Sequence, residues 1–368
     1  MSLKRMPIAG QFAGAKSDIP PPYGPPSAFD DVVNWFCRKN RIHVRPRLNS
    51  FSTSPDGAII RDLVTFKDVL NNLHTLMLTT KNAYMLTAGP VWNLLGYPTF
   101  AGGGTDISGT ALPYGRVAAL NSIYFSNGSR QILQADGEAT LKIAGTVAPA
   151  AQYLTIQASH VIAAYITDPE PGAAGSKVYP QRVQWCKTGD PREWDPSVAV
   201  SAGLVDLLEV PDDITGLSSL GRNTFIWRTN GLSVMYPTGI GTRPFDFEHL
   251  SYSQRGIGTS YPYALAMYGD AAVGIASDDI YLLNRGGTFQ PISGIHKKRI
   301  FKDLSLASGD VVQATIVPQL GPGFDMLSYW LSIPGVDVTW VYIYETSSWQ
   351  RFTSVSGRIT AMNAVSIS

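Results

Sequence analysis

Charge is scarce in this 368-residue chain: Asp, Glu, Lys and Arg make up 15% of it, and 29 basic groups against 28 acidic leave +1. A dedicated duplex-DNA binder carries a strong basic excess, so the composition argues against that class. Cysteine is scarcer. Cys37 and Cys186 are too few for a disulfide framework, or for a four-ligand zinc site without much help from histidine. The five histidines, His43, His74, His160, His249 and His296, stand at no metal-ligand spacing from one another. No run approaches 18 uninterrupted apolar residues, which argues against a membrane helix. The opening MSLKRMPIAGQFAGAKSDIPPPYGPP has charge but no sustained apolar core of an export signal. Catalytic signatures are missing as well: there is no Gly-x-Ser-x-Gly elbow, His-Glu-x-x-His, Walker A loop or EF-hand loop. The expectation is no cofactor, no metal and no membrane.

What the chain has is turns and aromatics. With 35 Gly, 25 Pro, 44% hydrophobic and 11% aromatic residues, it reads as folded, turn-rich and β. Its length suits two typical domains or one large all-β domain.

Residues 1–30 hold six of the 25 prolines, including Pro20, Pro21, Pro22, Pro25 and Pro26 around Tyr23, and little to bury. Proline fixes φ and removes backbone donors, so this segment is expected to be an extended arm with polyproline character. It is either a disordered terminus or an arm that becomes ordered on a neighbouring subunit or an adaptor.

From residue 31 onward a unit recurs: apolar strand, polar turn, second apolar or aromatic strand. It covers Leu76–Leu86, Ile123–Leu133, Val183–Trp194, Phe225–Tyr236, Val273–Leu283 and Trp340–Phe352. Asn-Gly, Lys-Asn, Asp-Asp and Gly-Asp-Pro at the turns are hairpin and turn signals. The units start 42 to 67 residues apart. Four-stranded propeller blades repeat about every 40–50 residues. The reading is all-β: a β-propeller of about six blades of short antiparallel strands over residues 31–368, or seven if termini and insertions supply another. Insertions are expected near 97–115 and 137–182, the latter with a strand at Tyr153–Val161, and in 284–339, where Met326–Ile333 supplies an extra strand pair. A pair of β-sandwiches is the competing fold. Helix is scarce; Leu63–Leu78 has a weak 3.6 pattern that competes with a strand.

Candidate chemistry is thin. Gly102–Gly109 is glycine-rich but leads into no helix, so it reads as a loop and not a phosphate cradle. Asp190, Glu193 and Asp195 cluster in Gly189-Asp-Pro-Arg-Glu-Trp-Asp-Pro196, where paired acids could cleave a glycan or simply cap a Pro-bounded turn beside Arg192. Glu248–His249 and Asp278–Asp279 are weaker pairs. The concentrated charge is Arg38, Lys39, Arg41, His43, Arg45 and Arg47. In a strand over 41–47, alternation puts Arg41, His43, Arg45 and Arg47 on one face. That basic strip would face a channel, a partner or, as a guarded edge strand, solvent. His296-Lys-Lys-Arg299 reads as a solvated loop.

Several segments resemble propeller-type tail nozzle proteins of short-tailed bacteriophages. Asn34–Pro46 is similar to their opening, Leu76–Leu86 to a first-blade unit, and Arg182-Val-Gln-Trp-Cys-Lys-Thr-Gly-Asp-Pro-Arg-Glu-Trp-Asp-Pro196 to an Arg-Val-x-Trp-Ser-x-x-Gly-Asp-Pro-x-x-Trp segment, with Cys186 in place of the commoner Ser. Gly256-Ile-Gly-Thr-Ser-Tyr-Pro-Tyr263 and Val273–Tyr281 look like a late blade. The resemblance spans residues 31–352 and implies a non-enzymatic virion structural protein, made in the host cytoplasm and placed in the phage tail. It would form a six-fold ring below the portal and adaptor, touch tailspike or fibre proteins, and let genomic DNA leave without sequence recognition. The chain is too short for extensive tip domains, so any tube should be short. Two alternatives remain. One is a glycan-binding receptor-recognition propeller, which would expose Trp92, Trp194 or Trp227 in a pocket. The other is a glycan-cleaving enzyme using Asp190 or Glu193.

Overall fold

The computed structural model describes residues 54–87, 91–100, 107, 112–145, 147–168, 174–199, 201–250, 257–307, 311–317, 327–336 and 338–353, with the backbone of 35–38 and 41–44. The proline-rich residues 1–30, and the side chains of Arg38, Lys39, Arg41, His43, Arg45 and Arg47, lie outside the described residues. A two-stranded hairpin, β1 (Trp35–Arg38) and β2 (Arg41–Val44), comes first.

Six sheets follow, each a meander of four consecutive antiparallel strands. Blade one holds β3 (Ile60–Lys67), β4 (Leu73–Thr79), β5 (Ala83–Leu86) and β6 (Trp92–Leu94). Blade two holds β7 (Gly115–Ala119), β8 (Ser122–Ser126), β9 (Leu133–Ala135) and β10 (Lys142–Ile143). Blade three has β11 (Ala150–Gln157), β12 (His160–Asp168), β13 (Lys177–Trp185) and β14 (Gly203–Asp206). In blade four the strands are β15 (Ile214–Leu220), β16 (Asn223–Arg228), β17 (Leu232–Ile240) and β18 (Arg243–Leu250). Blade five has β19 (Ala266–Tyr268), β20 (Ala271–Ile275), β21 (Ile280–Asn284) and β22 (Phe289–Pro291). One helix, α1 (Lys297–Ser305), precedes blade six: β23 (Gln313–Val317), β24 (Ser328–Ile333), β25 (Val338–Ile343) and β26 (Ser348–Thr353).

Local chemistry explains the meanders. The second and third strands of a blade are covered on both faces, so they read as nearly continuous apolar runs, as in Ser-Tyr-Trp-Leu-Ser-Ile of β24 and Val-Thr-Trp-Val-Tyr-Ile of β25, both buried throughout. Two-residue turns join β7 to β8 at Leu120-Asn121 and β11 to β12 at Ala158-Ser159, with all four residues at positive φ. That is the mirror-image turn whose twist matches paired strands.

Consecutive blades share buried cores. Leu76 and Phe66 of blade one meet Ile123 and Phe125 of blade two; Trp227 and Phe225 of blade four meet Ala272 and Leu283 of blade five; Val273 and Ile275 meet Trp340, Leu331 and Ile300 of α1 between blades five and six. Each of the larger aliphatic and aromatic side chains among these contributes about 1.5–3 kcal/mol by leaving water. The first strands of all six blades, β3, β7, β11, β15, β19 and β23, line one central space. The fold is a six-bladed β-propeller, and the paired-sandwich alternative is set aside. The β1–β2 hairpin approaches β26, the last strand of the wheel.

Four expected units coincide with the second and third strands of blades one, two, four and five. Two need correction. Val183–Trp194 is no hairpin: only Val183–Trp185 is strand, and the rest is the turn-rich link to β14. Trp340–Phe352 is the third and fourth strands of blade six, and Met326–Ile333 contains that blade's own second strand, β24, not an added pair. Likewise 137–182 is not an insertion but holds β10, β11, β12 and the start of β13; the expected strand Tyr153–Val161 straddles the Ala158-Ser159 turn. Leu63–Leu78 forms strands β3 and β4. His296–Arg299 opens α1 instead of a solvated loop, and His296 is buried 5.8 Å from the Trp340 ring.

Candidate functional site

The axis is where the six blades place side chains in common, around a cavity of about 490 Å³. Blade one contributes Arg61 and Asp62. In a regular strand, neighbours point to opposite faces, yet both line the cavity. The cause is a β-bulge: the β3–β4 register skips from Ile60 to Asp62, leaving Arg61 as the extra residue, and a bulge re-aims side chains. Arg116 of β7 reaches across the blade boundary to Asp62, its Nε on Oδ2. Burial still pushes the Asp62 carboxyl above its usual range, outweighing the pull of Arg116.

Tyrosines close one side. The Tyr153 ring of β11 lies 6.2 Å from that of Tyr263, which stands in a short 3-10 turn before β19. These residues belong to blades three and five, and Gly216 of the intervening β15 presents no side chain; a Cβ there would sit 2.7 Å from Leu265. Tyr165, at a bulge in β12 with φ +56°, backs Tyr153 edge-on at 6.4 Å. Burial raises the hydroxyls of Tyr153 and Tyr263 far above the ordinary phenol value, so both stay protonated. Gln313 of β23 also lines the space; it is 9% exposed, and its Nε2 has no hydrogen-bond partner among the described residues. Gly115 lets β7 and β11 close up: a Cβ there would meet the Gln152 carbonyl oxygen at 2.3 Å.

The acids of Gly189–Pro196 serve the turn. Asp190 pairs with Arg192 at 3.6 Å, Glu193 Oε1 accepts the Asp195 N–H, and Asp195 Oδ1 accepts from Ser197. Trp194 is fully buried, donating from Nε1 to the Pro191 carbonyl at 2.8 Å. Trp227 is equally buried and donates to Ser218 Oγ at 2.8 Å, while Trp92 is half-buried on β6. Two of the three tryptophans proposed for a glycan pocket are therefore core. Cys186 is buried, and its surroundings push the thiol up to about 12. Asp278 Oδ2 accepts from the Tyr281 hydroxyl, and Asp279 bonds Ser293 and its own strand. The basic strip reaches the structure only as backbone: β2 ends at Val44, and Arg45 and Arg47 lie outside the described residues. Among the described residues, no group of three or more His, Cys, Asp or Glu is placed to hold a metal ion, and no helix is long and apolar enough to cross a membrane.

The axial residues were missed by sequence reasoning. The available signal was a charged Arg-Asp pair inside the apolar strand Ile60-Arg-Asp-Leu-Val-Thr-Phe66.

Fold and site together define a class: a six-bladed propeller with a polar, aromatic-walled axis. No protein-family model matches the chain, and no curated protein matches it in sequence. Among solved structures it is similar to the WD40 propeller domain of Doa1 (12% identity, 83% of this chain and 86% of that one, TM-score 0.45). It is also similar to the RRP9 WD40 repeats (9%, 83% and 83%, 0.46) and to BamB from Moraxella catarrhalis (11%, 84% and 81%, 0.39).

Proposed function

We propose that this chain is a non-enzymatic structural protein of a short-tailed phage virion, a nozzle subunit that assembles with copies of itself into a ring for genome exit. The observation that carries the reading is that the segments resembling nozzle proteins are architectural parts of the wheel. Trp194 of Arg182–Pro196 packs into the core shared by blades two and three. Gly258 of Gly256–Tyr263 runs against the carbonyls of Arg228 and Thr229, where a Cβ would lie 2.2 Å from the first, and Tyr263 reaches the axis. Val273–Tyr281 spans the middle of blade five.

Shared cores at blade boundaries make a stiff unit, which suits a wall. A duplex, whose major groove alone is about 12 Å wide, has no room in a cavity of about 490 Å³. DNA therefore passes between copies of the wheel, not along its own axis. Near-zero net charge suits transit, since each neutralised phosphate adds affinity that would retain the genome. A closed ring of identical subunits is the expected solution, with residues 1–30 as the arm onto a neighbour or the adaptor and the Arg38–Arg47 strip facing DNA or a partner.

Native mass measurement of the purified chain, alone and mixed with tail extract, tests this. Ring-sized assemblies on the tail are expected. A glycan-binding monomer absent from the tail would overturn the proposal.

A further inference from the structure

We infer that the outer edges of blades one and three are the two halves of a head-to-tail contact between copies of this chain. With the wheels lying flat, that contact closes a ring of six and turns blade two toward the passage. The inference rests on the ring reading above and deepens it by naming the interface.

Three observations converge. The first is where apolar surface is left open. β6 ends on Leu94, 57% exposed, just after exposed Val91; β14 carries exposed Leu204 and is followed by Leu208 at 71%. On the other outer strands, β10, β18, β22 and β26, no large apolar side chain is exposed among the described residues. A sheet edge with open apolar side chains invites pairing, so chains cover it or guard it with charge. Blade six shows the covered form: Trp349 and Phe352 of β26 are buried, and the β1–β2 hairpin approaches that strand.

The second is angle. Six blades stand about 60° apart round the axis, so blades one and three point about 120° apart. That is the corner of a hexagon. The two edges differ in sequence, so their contact is heterologous, and a heterologous contact with this turn closes at six copies. Blade two bisects the corner and faces inward. There Lys142 of β10 is offset by Asp136 at 2.6 Å and Glu138 at 3.0 Å, an ion-paired strand that holds phosphate weakly.

The third is the match along the edges. β6 and β14 are each the fourth strand of a meander and run the same way across their blades. In a ring made by rotation alone, like ends meet, which sets Val91 against Leu204 and Leu94 against Leu208. Lys81, exposed, stands beside the end of β6, where the Leu95 N–H donates to the Ala83 carbonyl at 3.0 Å. Glu209, exposed, follows Leu208 and supplies the opposite charge at the same end. An apolar centre with a complementary charged rim is the anatomy of a protein–protein interface.

The test is cross-linking of the full chain assembled on tail extract, in a Cys37→Ser background that leaves only the buried Cys186. Leu94→Cys and Leu208→Cys chains are prepared separately, mixed, and treated with a short bismaleimide. A cross-linked pair is expected in the mixture and in neither chain alone. Native mass should give six copies, and Leu208→Arg should cut ring yield about tenfold or more with circular dichroism unchanged. Three results would overturn this interface and leave the ring reading standing: rings without the mixed cross-link, rings of another order, or rings that survive a folded Leu208→Arg. A pair formed by either chain alone would overturn it too. No ring at all would overturn both.

Discussion

The boundaries between blades and the axis of the wheel are built from opposite materials. At the boundaries the side chains are large, apolar and dry: Trp194, Trp227, Trp340 and Trp349 are among the largest fully buried groups, each with its indole N–H satisfied. The axis carries a bulge, an ion pair, tyrosines and an unpartnered amide around open space. Packing density and transfer free energy concentrate stability at the boundaries. The axis gains little from burial, which leaves it free to hold polar groups.

Substitutions can break that contrast. The largest loss should follow Trp227→Ala, which empties the core between blades four and five and strands Ser218; about 3–5 kcal/mol is expected in urea unfolding. Arg228→Met comes next. This fully buried guanidinium donates to the carbonyls of Val210 at 2.8 Å and Leu207 at 3.1 Å, tying the link from blade three to blade four. Removing it leaves those acceptors unpaired, for about 2–3 kcal/mol by the same assay.

At the axis the effects should shrink. Arg116→Met leaves Asp62 buried without its partner, but Arg116 is itself about one-third exposed, its side chain at 32%, so solvent screening limits the loss to about 1–2 kcal/mol. The double variant Asp62→Leu/Arg116→Met should recover most of that, because an apolar pair can replace a buried ion pair. A pH series sharpens the boundary side. His160 is buried, with Nδ1 2.6 Å from the Cys186 carbonyl oxygen and Nε2 3.0 Å from Thr188 Oγ1, and burial lowers its pKa below 6.5. The unfolded chain then binds the proton more readily. Its contribution is complete above 6.5 and is lost as pH falls through the folded value. Thermal melts should show this slope in the native protein and not in His160→Gln. Smallest of all, Gln313→Leu should change stability by less than about 1 kcal/mol, because the buried amide nitrogen it removes makes no hydrogen bond among the described residues.

How far the sequence could be read follows the same divide. Blades one, two, four and five announce themselves because their central strands are covered on both sides and separated by strong turn signals, as at Asn127-Gly128 and Asn230-Gly231. Blade three hides. Three of its boundary positions are alanines, Ala151, Ala163 and Ala164, which dilute the strand signal of Leu154, Val161, Ile162 and Ile166 beside them, while the aromatic-rich run Val183–Trp194 ends in a turn. Blade six was read one strand late, because β24, β25 and β26 are equally aromatic and the turn residue Tyr344 tips the balance toward Trp340–Phe352. The axial site was illegible for a geometric reason. Alternation cannot reveal that a bulge puts Arg61 and Asp62 on one wall, nor that Arg116, 54 residues away, would meet them.

The most direct measurement is a cryo-electron microscopy reconstruction of tails carrying this chain. The account predicts six wheels set around a passage wide enough for duplex DNA, with no DNA in each wheel's own axis, the small cavity lined by Tyr153 and Tyr263. Single wheels attached to the outside of the particle, or DNA density running through the centre of one wheel, would contradict it.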